Sequence, residues 1–175
     1  MILLFSSFAL HAQNEGPLQN GDRFPNIAGQ FLTKEKAVIP EHFEGKISLL
    51  IIAFKRGTQK QIDTWTLPLF PKAKQNPRFS ILEIPMISQY YNWMSDWIDN
   101  GMRNGIPENL HNNVLTYYGN LDAYYKFFEV TDKKTCYLFL LDEQGNIQYK
   151  TRGPATKEKL AHLNNKINSL LQQLQ

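Results

Sequence analysis

The run Ile47-Ser48-Leu49-Leu50-Ile51-Ile52-Ala53-Phe54 constrains the fold more than any other stretch of the chain. It carries no charge, is rich in branched side chains and leaves no solvent-facing side, so it reads as a strand buried on both faces of a parallel sheet. Such a strand needs helices above and below it. The first is close at hand, because Ile62, Trp65 and Leu69 recur at helical spacing between Thr58 and about Phe70, with Pro68 and Pro71 disturbing or closing its end. A second strand is expected at 79–84, and the strand–helix–strand order implies a right-handed crossover and a parallel pair.

The flanking segments extend this unit. Residues 31–32 and 37–39 read as a small hairpin around the turn-like 33–36, ended by Pro40. Ser88 is a good N-cap for a helix reaching about residue 104, with Tyr90, Met94, Trp97 and Ile98 on one face opposite Asn92, Ser95, Asp99 and Arg103. Gly105 is its natural stop. Between 106 and 130 the pattern is weaker. Pro107 marks a turn or short helix, and 121–128 a second short helix whose aromatics pack inward. Residues 135–141 form an apolar strand, Gly145 ends a turn that favours a positive backbone angle, and 146–151 alternate as a returning strand. After Gly153-Pro154, a last helix aligns Leu160, Leu163, Ile167, Leu170, Leu171 and Leu174 in one stripe for docking on a sheet. The expected fold class is α/β, a central mixed β-sheet flanked by helices with an aromatic-rich helical insertion.

With 175 residues, 42% of them hydrophobic, the chain suits one domain with a real core. Its net charge of +3 arises from 19 basic and 16 acidic residues without a like-charge run, which argues against nucleic acid as a partner. Residues 2–10 form an apolar run too short to span a bilayer, and Ala12 before Gln13 offers a cleavage point. Residues 1–12 therefore read as a signal peptide, although no Lys or Arg precedes the run; the alternative is a buried N-terminal helix or strand. Export to the periplasm or cell envelope follows, with a flexible lead-in over 13–20, a domain over 21–175 and no membrane span in the mature chain. No Cys follows the apolar run to carry a lipid anchor.

Several stretches resemble the thioredoxin-like superfamily. Residues 45–54 resemble the strand leading into its active-site turn, 137–147 its late hairpin, and Gly153 its strand end. Where those families begin the following helix with a cysteine pair or a peroxidatic cysteine, this chain has Thr58-Gln59-Lys60-Gln61-Ile62, and where they place a cis-proline it has Lys134-Thr135. A closer resemblance is to the mitochondrial ATP synthase assembly factors known as ATPase complex subunit ten and their bacterial relatives. It rests on Gly21-Asp22-Arg23-Phe24-Pro25, on Phe54-Lys55-Arg56 followed by Asp63-Thr64-Trp65, on Gly105-Ile106-Pro107-Glu108-Asn109 with His111, and on the late hairpin. That resemblance implies a thioredoxin-like fold without redox cysteines, acting as a chaperone or assembly partner for a membrane subunit.

Dithiol exchange needs an attacking thiolate and a resolving thiol, and the chain has one cysteine, Cys136. Cys136 sits in an apolar strand, where a core role is expected; the rival reading is a single-cysteine thiol oxidoreductase or peroxidase using it as nucleophile. Lys55, Arg56 and Lys60 flank a helix N-terminus, which suits an anion or an acidic partner segment; the alternative pairs Arg56 with Asp63 and leaves the lysines solvated. Lys55, Arg56, Thr58, Gln59, Trp65 and Thr135 form the expected binding edge for a protein partner, a choice made by analogy with related folds, with Trp65 also expected as a core anchor. Among the many aromatics, Tyr91 and Trp93 are candidates for an exposed patch facing a protein or membrane interface. His42, His111 and His162 lack metal-ligand spacing, and His111 reads as a surface histidine. No phosphate loop, hydrolase elbow or calcium loop is present, so neither a metal nor a cofactor is expected. A small-ligand carrier would require a pocket between the insertion and the sheet.

Overall fold

A computed structural model describes residues 16–174. Seven strands, β1 (Ile27–Phe31), β2 (Lys36–Ile39), β3 (Ile47–Ala53), β4 (Phe79–Ser88), β5 (Leu115–Gly119), β6 (Tyr137–Leu141) and β7 (Ile147–Arg152), form one sheet in the order β2-β1-β5-β4-β3-β6-β7. The helices are α1 (Gln59–Gln75), α2 (Ser95–Gly105), α3 (Asp122–Phe127) and α4 (Lys157–Gln173). β3 runs parallel to β4 and antiparallel to β6, and all seven of its residues are buried. Its alternation divides the core. Leu50 and Ile52 join Phe24, Leu82, Ile84 and Phe139 beneath the N-terminal arm and α3. Leu49 and Ile51 join Ile62, Trp65, Leu163 and Ile167 beneath α1 and α4. Gly145 closes the β6–β7 turn at φ +83°, where an added Cβ would also meet the Pro40 ring at 2.8 Å.

Several elements depart from the sequence expectation, each for a local reason. Helix α1 continues through Pro68 and Pro71 to Gln75. Both prolines are exposed, as are Thr64 and Leu67, whose carbonyls lose their helical donors on the solvent side of the helix, where water can take the donors' place. Strand β4 continues past Ile84 to Ser88 because its neighbours change at Pro85: pairing with β3 ends at Ala53↔Pro85, and pairing with β5 begins at Met86↔Tyr117. Strand β5 has no counterpart in the sequence reading. Docking starts earlier than expected, since Leu18 is buried, its N–H reaches the Phe127 carbonyl at 3.0 Å and its own carbonyl accepts from Lys150 Nζ at 2.6 Å. The lead-in is thus held from Leu18 onward. The expected signal peptide lies outside the described residues, and among those described no helix is long and apolar enough to cross a membrane.

The segment after Ser88 keeps only part of its expected orientation, with Met94 and Ile98 half-buried. It opens as a 3-10 turn over Gln89–Met94, with Ser88 Oγ accepting from the Tyr90 N–H, before α2 begins. Tyr90 and Trp97, expected to face the core, are 80% and 72% exposed, whereas Asp99, expected outside, is 3% exposed. Asp99 accepts from Tyr118 Oη at 2.7 Å and from Thr116 Oγ1 at 3.2 Å, both on β5, and Arg103 Nε donates to the Leu32 carbonyl at 2.7 Å. Turning Trp97 inward would strip the buried Asp99 carboxylate of both donors, a penalty of several kcal/mol by the usual cost of unpaired buried polar groups, although Thr116 Oγ1 would keep its 3.1 Å bond to the Gln30 carbonyl.

Candidate functional site

The expected binding edge lies where β3 ends and α1 begins. Lys55 enters a 3-10 turn over Arg56–Thr58, closed by Thr58 Oγ1 donating to the Lys55 carbonyl at 2.7 Å. Thr58 is buried, while Lys55, Arg56, Gln59 and Lys60 are exposed. The three cations form no ion pair among the described residues, and Asp63 accepts from Gln59 Nε2 at 3.0 Å instead of pairing with Arg56. The same Gln59 amide reaches Glu83 Oε2 at 3.4 Å. Burial is the main force raising the Glu83 carboxyl to about 7; the Asp63 charge adds to it and the Gln59 hydrogen bond opposes it.

Across the turn lies the loop entering β6, and Gln61 spans the gap. Its Nε2 donates to the Lys134 carbonyl at 3.0 Å, and its Oε1 accepts from the Cys136 N–H at 3.3 Å and from Thr135 Oγ1 at 3.5 Å. One amide therefore ties the first turn of α1 to the loop where a thioredoxin-type enzyme holds its cis-proline. Beneath it, Trp65 Nε1 (2.8 Å) and Cys136 Sγ (3.3 Å) both donate to the Gly153 carbonyl, while the Gly153 N–H returns to the Cys136 carbonyl at 2.9 Å. Thr64 Oγ1 accepts from the Ala155 N–H at 2.8 Å, fastening the start of α4 to α1. Cys136 is fully buried, and burial pushes its thiol up to about 11, so almost no thiolate exists near neutral pH.

The residues expected to bind thus divide into two sets. Lys55, Arg56 and Gln59 face solvent, whereas Thr58 and Trp65 are buried structural contacts, with half-buried Thr135 between them; Cys136, the alternative nucleophile, is buried as well. Two residues of this edge carry no role in the sequence reading. Gln61 stood inside the turn that replaces the cysteines, and Glu83 is the single charge in an otherwise apolar strand; each was a visible signal. His111 is buried, not a surface residue, and its Nε2 lies 2.9 Å from the Ile106 carbonyl, fastening the turn before β5. Among the described residues no three potential metal ligands converge.

A family model described as ATP10 protein matches residues 18–170. The chain belongs to the ATP10 protein family. Its arrangement of elements is shared by solved structures, among them a candidate protein disulfide isomerase from Bacteroides thetaiotaomicron, 17% identical over 89% of this chain and 91% of that one, with a TM-score of 0.63. A candidate thiol:disulfide interchange protein from Chlorobium tepidum is 16% identical over 88% and 99%, with a TM-score of 0.60. A thiol peroxidase from Chromobacterium violaceum is 15% identical over 90% and 91%, with a TM-score of 0.55. At such identities the likeness concerns the fold, which is thioredoxin-like. No curated protein sequence matches the chain. This ATP10 family member therefore carries a glutamine-bridged edge on a thioredoxin-like frame.

Proposed function

We propose that this ATP10 family protein is a non-redox assembly factor that binds a protein partner, a membrane-complex subunit, in the cell envelope. The observation that carries the reading is Gln61: it occupies the turn where thiol chemistry would start and bonds the opposing loop, while the lone cysteine is buried behind it with its sulfur engaged on Gly153. A thiol oxidoreductase or peroxidase needs an accessible thiolate, and the burial of Cys136 opposes both. Lys55, Arg56 and Gln59 provide an exposed cationic and amide surface suited to an acidic or polar partner segment. Family membership supports the assembly role, and the apolar residues 2–10 support export.

The test is site-specific photo-crosslinking in the native host. A crosslinker at Gln59 should capture a membrane-complex subunit, whereas one at Asn165, exposed on α4, should not. Equal capture at both positions, or capture of soluble thiol proteins through a disulfide to Cys136, would overturn the reading.

A further inference from the structure

The turn before α2 and the first turn of α2 carry a cluster of outward aromatics, while Met94 and Ile98 of the same segment are half-buried. Tyr90 (80% exposed), Tyr91 (52%), Trp93 (83%) and Trp97 (72%) stand in solvent. The orientation is built in, because Asp99 is bonded from below by Tyr118 and Thr116 of β5 and Arg103 is anchored on Leu32. The side chains are Trp and Tyr, not aliphatic residues. Rings with a polar tip suit the headgroup zone of a bilayer, where one end is apolar and the other wet.

Charge at the same end of the sheet names the occupant. β3 and β4 are parallel with Ala53 opposite Pro85, so Lys55, Arg56 and Lys60 leave the sheet at the end where Gln89 and the aromatic turn begin. These cations are exposed and unpaired among the described residues, and Asp96 is the exposed carboxylate of the aromatic segment. Interfacial aromatics at the same end of the sheet as lysine and arginine match an anionic lipid surface, on which apolar burial and attraction to headgroups act together. We propose that this face seats the protein on an anionic bilayer surface, with Trp93 and Trp97 at the interface and Lys55, Arg56 and Lys60 over the headgroups. The inference shares Lys55 and Arg56 with the assembly reading but adds lipid as a ligand, and the tryptophan variants test it apart from that reading.

The experiment is sedimentation of the full chain with phosphatidylglycerol-containing vesicles against pure phosphatidylcholine vesicles, combined with quenching of tryptophan fluorescence by brominated lipid. The chain's third tryptophan, Trp65, is buried and serves as an unquenched reference, and residues 1–15 contain none, so quenching reports on Trp93 and Trp97 even where residues 2–10 also touch lipid. Binding should favour anionic vesicles, weaken with salt, and quench part of the emission. W93A/W97A should lower partitioning at least about tenfold, the scale expected on deleting two interfacial anchors. Y90S/Y91S provides a second, independent loss, and K55E/R56E/K60E should abolish the anionic preference. The substituted side chains are exposed, so thermal melts should match the parent. Absence of vesicle binding, unquenched tryptophans, or a W93A/W97A protein that partitions like the parent would overturn the proposal. So would a concentration-dependent dimer or a protein complex that shields these tryptophans while vesicles do not.

Discussion

Replacing Gln61 with leucine tests whether its amide holds the edge closed. Gln61→Leu keeps comparable size and helix preference but removes the donor to Lys134 and the acceptor for Cys136, at 3.0 and 3.3 Å; the 3.5 Å contact from Thr135 adds little. The exposed Lys134 carbonyl regains water, whereas the N–H of buried Cys136 does so incompletely. At about 1 kcal/mol net per neutral hydrogen bond, the expected loss is about 2 kcal/mol, read as a lower urea midpoint with unchanged slope. If the loss is local to the β6 entry, Cys136 becomes reachable by local opening, and labelling of the native protein by an aromatic disulfide should accelerate about thirtyfold, the equivalent of 2 kcal/mol. Far-ultraviolet circular dichroism should not change. A loss below about 0.5 kcal/mol together with an unaltered labelling rate would refute the idea that Gln61 closes the site.

The Gly153 carbonyl accepts from both Trp65 and Cys136, so either donor alone still satisfies it; Trp65→Phe and Cys136→Ala combined should destabilise by about 1 kcal/mol more than their sum, measurable in a four-protein urea cycle. Because burial pushes the folded Cys136 thiol from its ordinary 9.0 up to about 11, its contribution is complete below pH 9 and is lost as pH rises from 9 towards 11; Cys136→Ala should flatten that stretch of the stability–pH curve. Glu83 is likewise raised, from 4.5 to about 7, so its protonated form favours the fold below pH 4.5 and this advantage fades as pH rises through 7. Glu83→Gln should therefore be more stable than the parent at pH 8 and not at pH 4.5, as shown by denaturation at both values.

Elements with one dominant physical cause are legible in the amino-acid sequence. β3 is a continuous apolar run because helices cover both of its sides, and the stripe from Leu160 to Leu174 docks as its period requires, with Leu163, Ile167 and Leu170 buried. Where two causes compete, local pattern is insufficient. The prolines of α1 are tolerated because the carbonyls they strand face water, a fact about where the helix sits and not about the prolines. β5 is short, and its order comes from partners distant in sequence: Gln30 and Phe31 on one side, Met86 to Ser88 on the other.

Helix α2 shows the limit most clearly. A helical period partitions residues between two faces and is silent on which face meets the sheet. The ordinary choice buries the aromatics, and it would be correct if β5 presented apolar side chains there. Instead β5 presents Thr116 and Tyr118, whose hydroxyls donate to Asp99 on the polar face, Thr116 Oγ1 also reaching the Gln30 carbonyl at 3.1 Å. Burial of Asp99 and exposure of Trp97 are thus one event, dictated by residues of another element. The same reasoning applies to Gln61, since a glutamine on the first turn of a helix is unremarkable until the loop carrying Lys134 and Cys136 is folded against it. At both places a polar group across a sequence gap decides the geometry: one amide ties α1 to the loop entering β6, and one carboxylate sets which side of α2 meets the sheet.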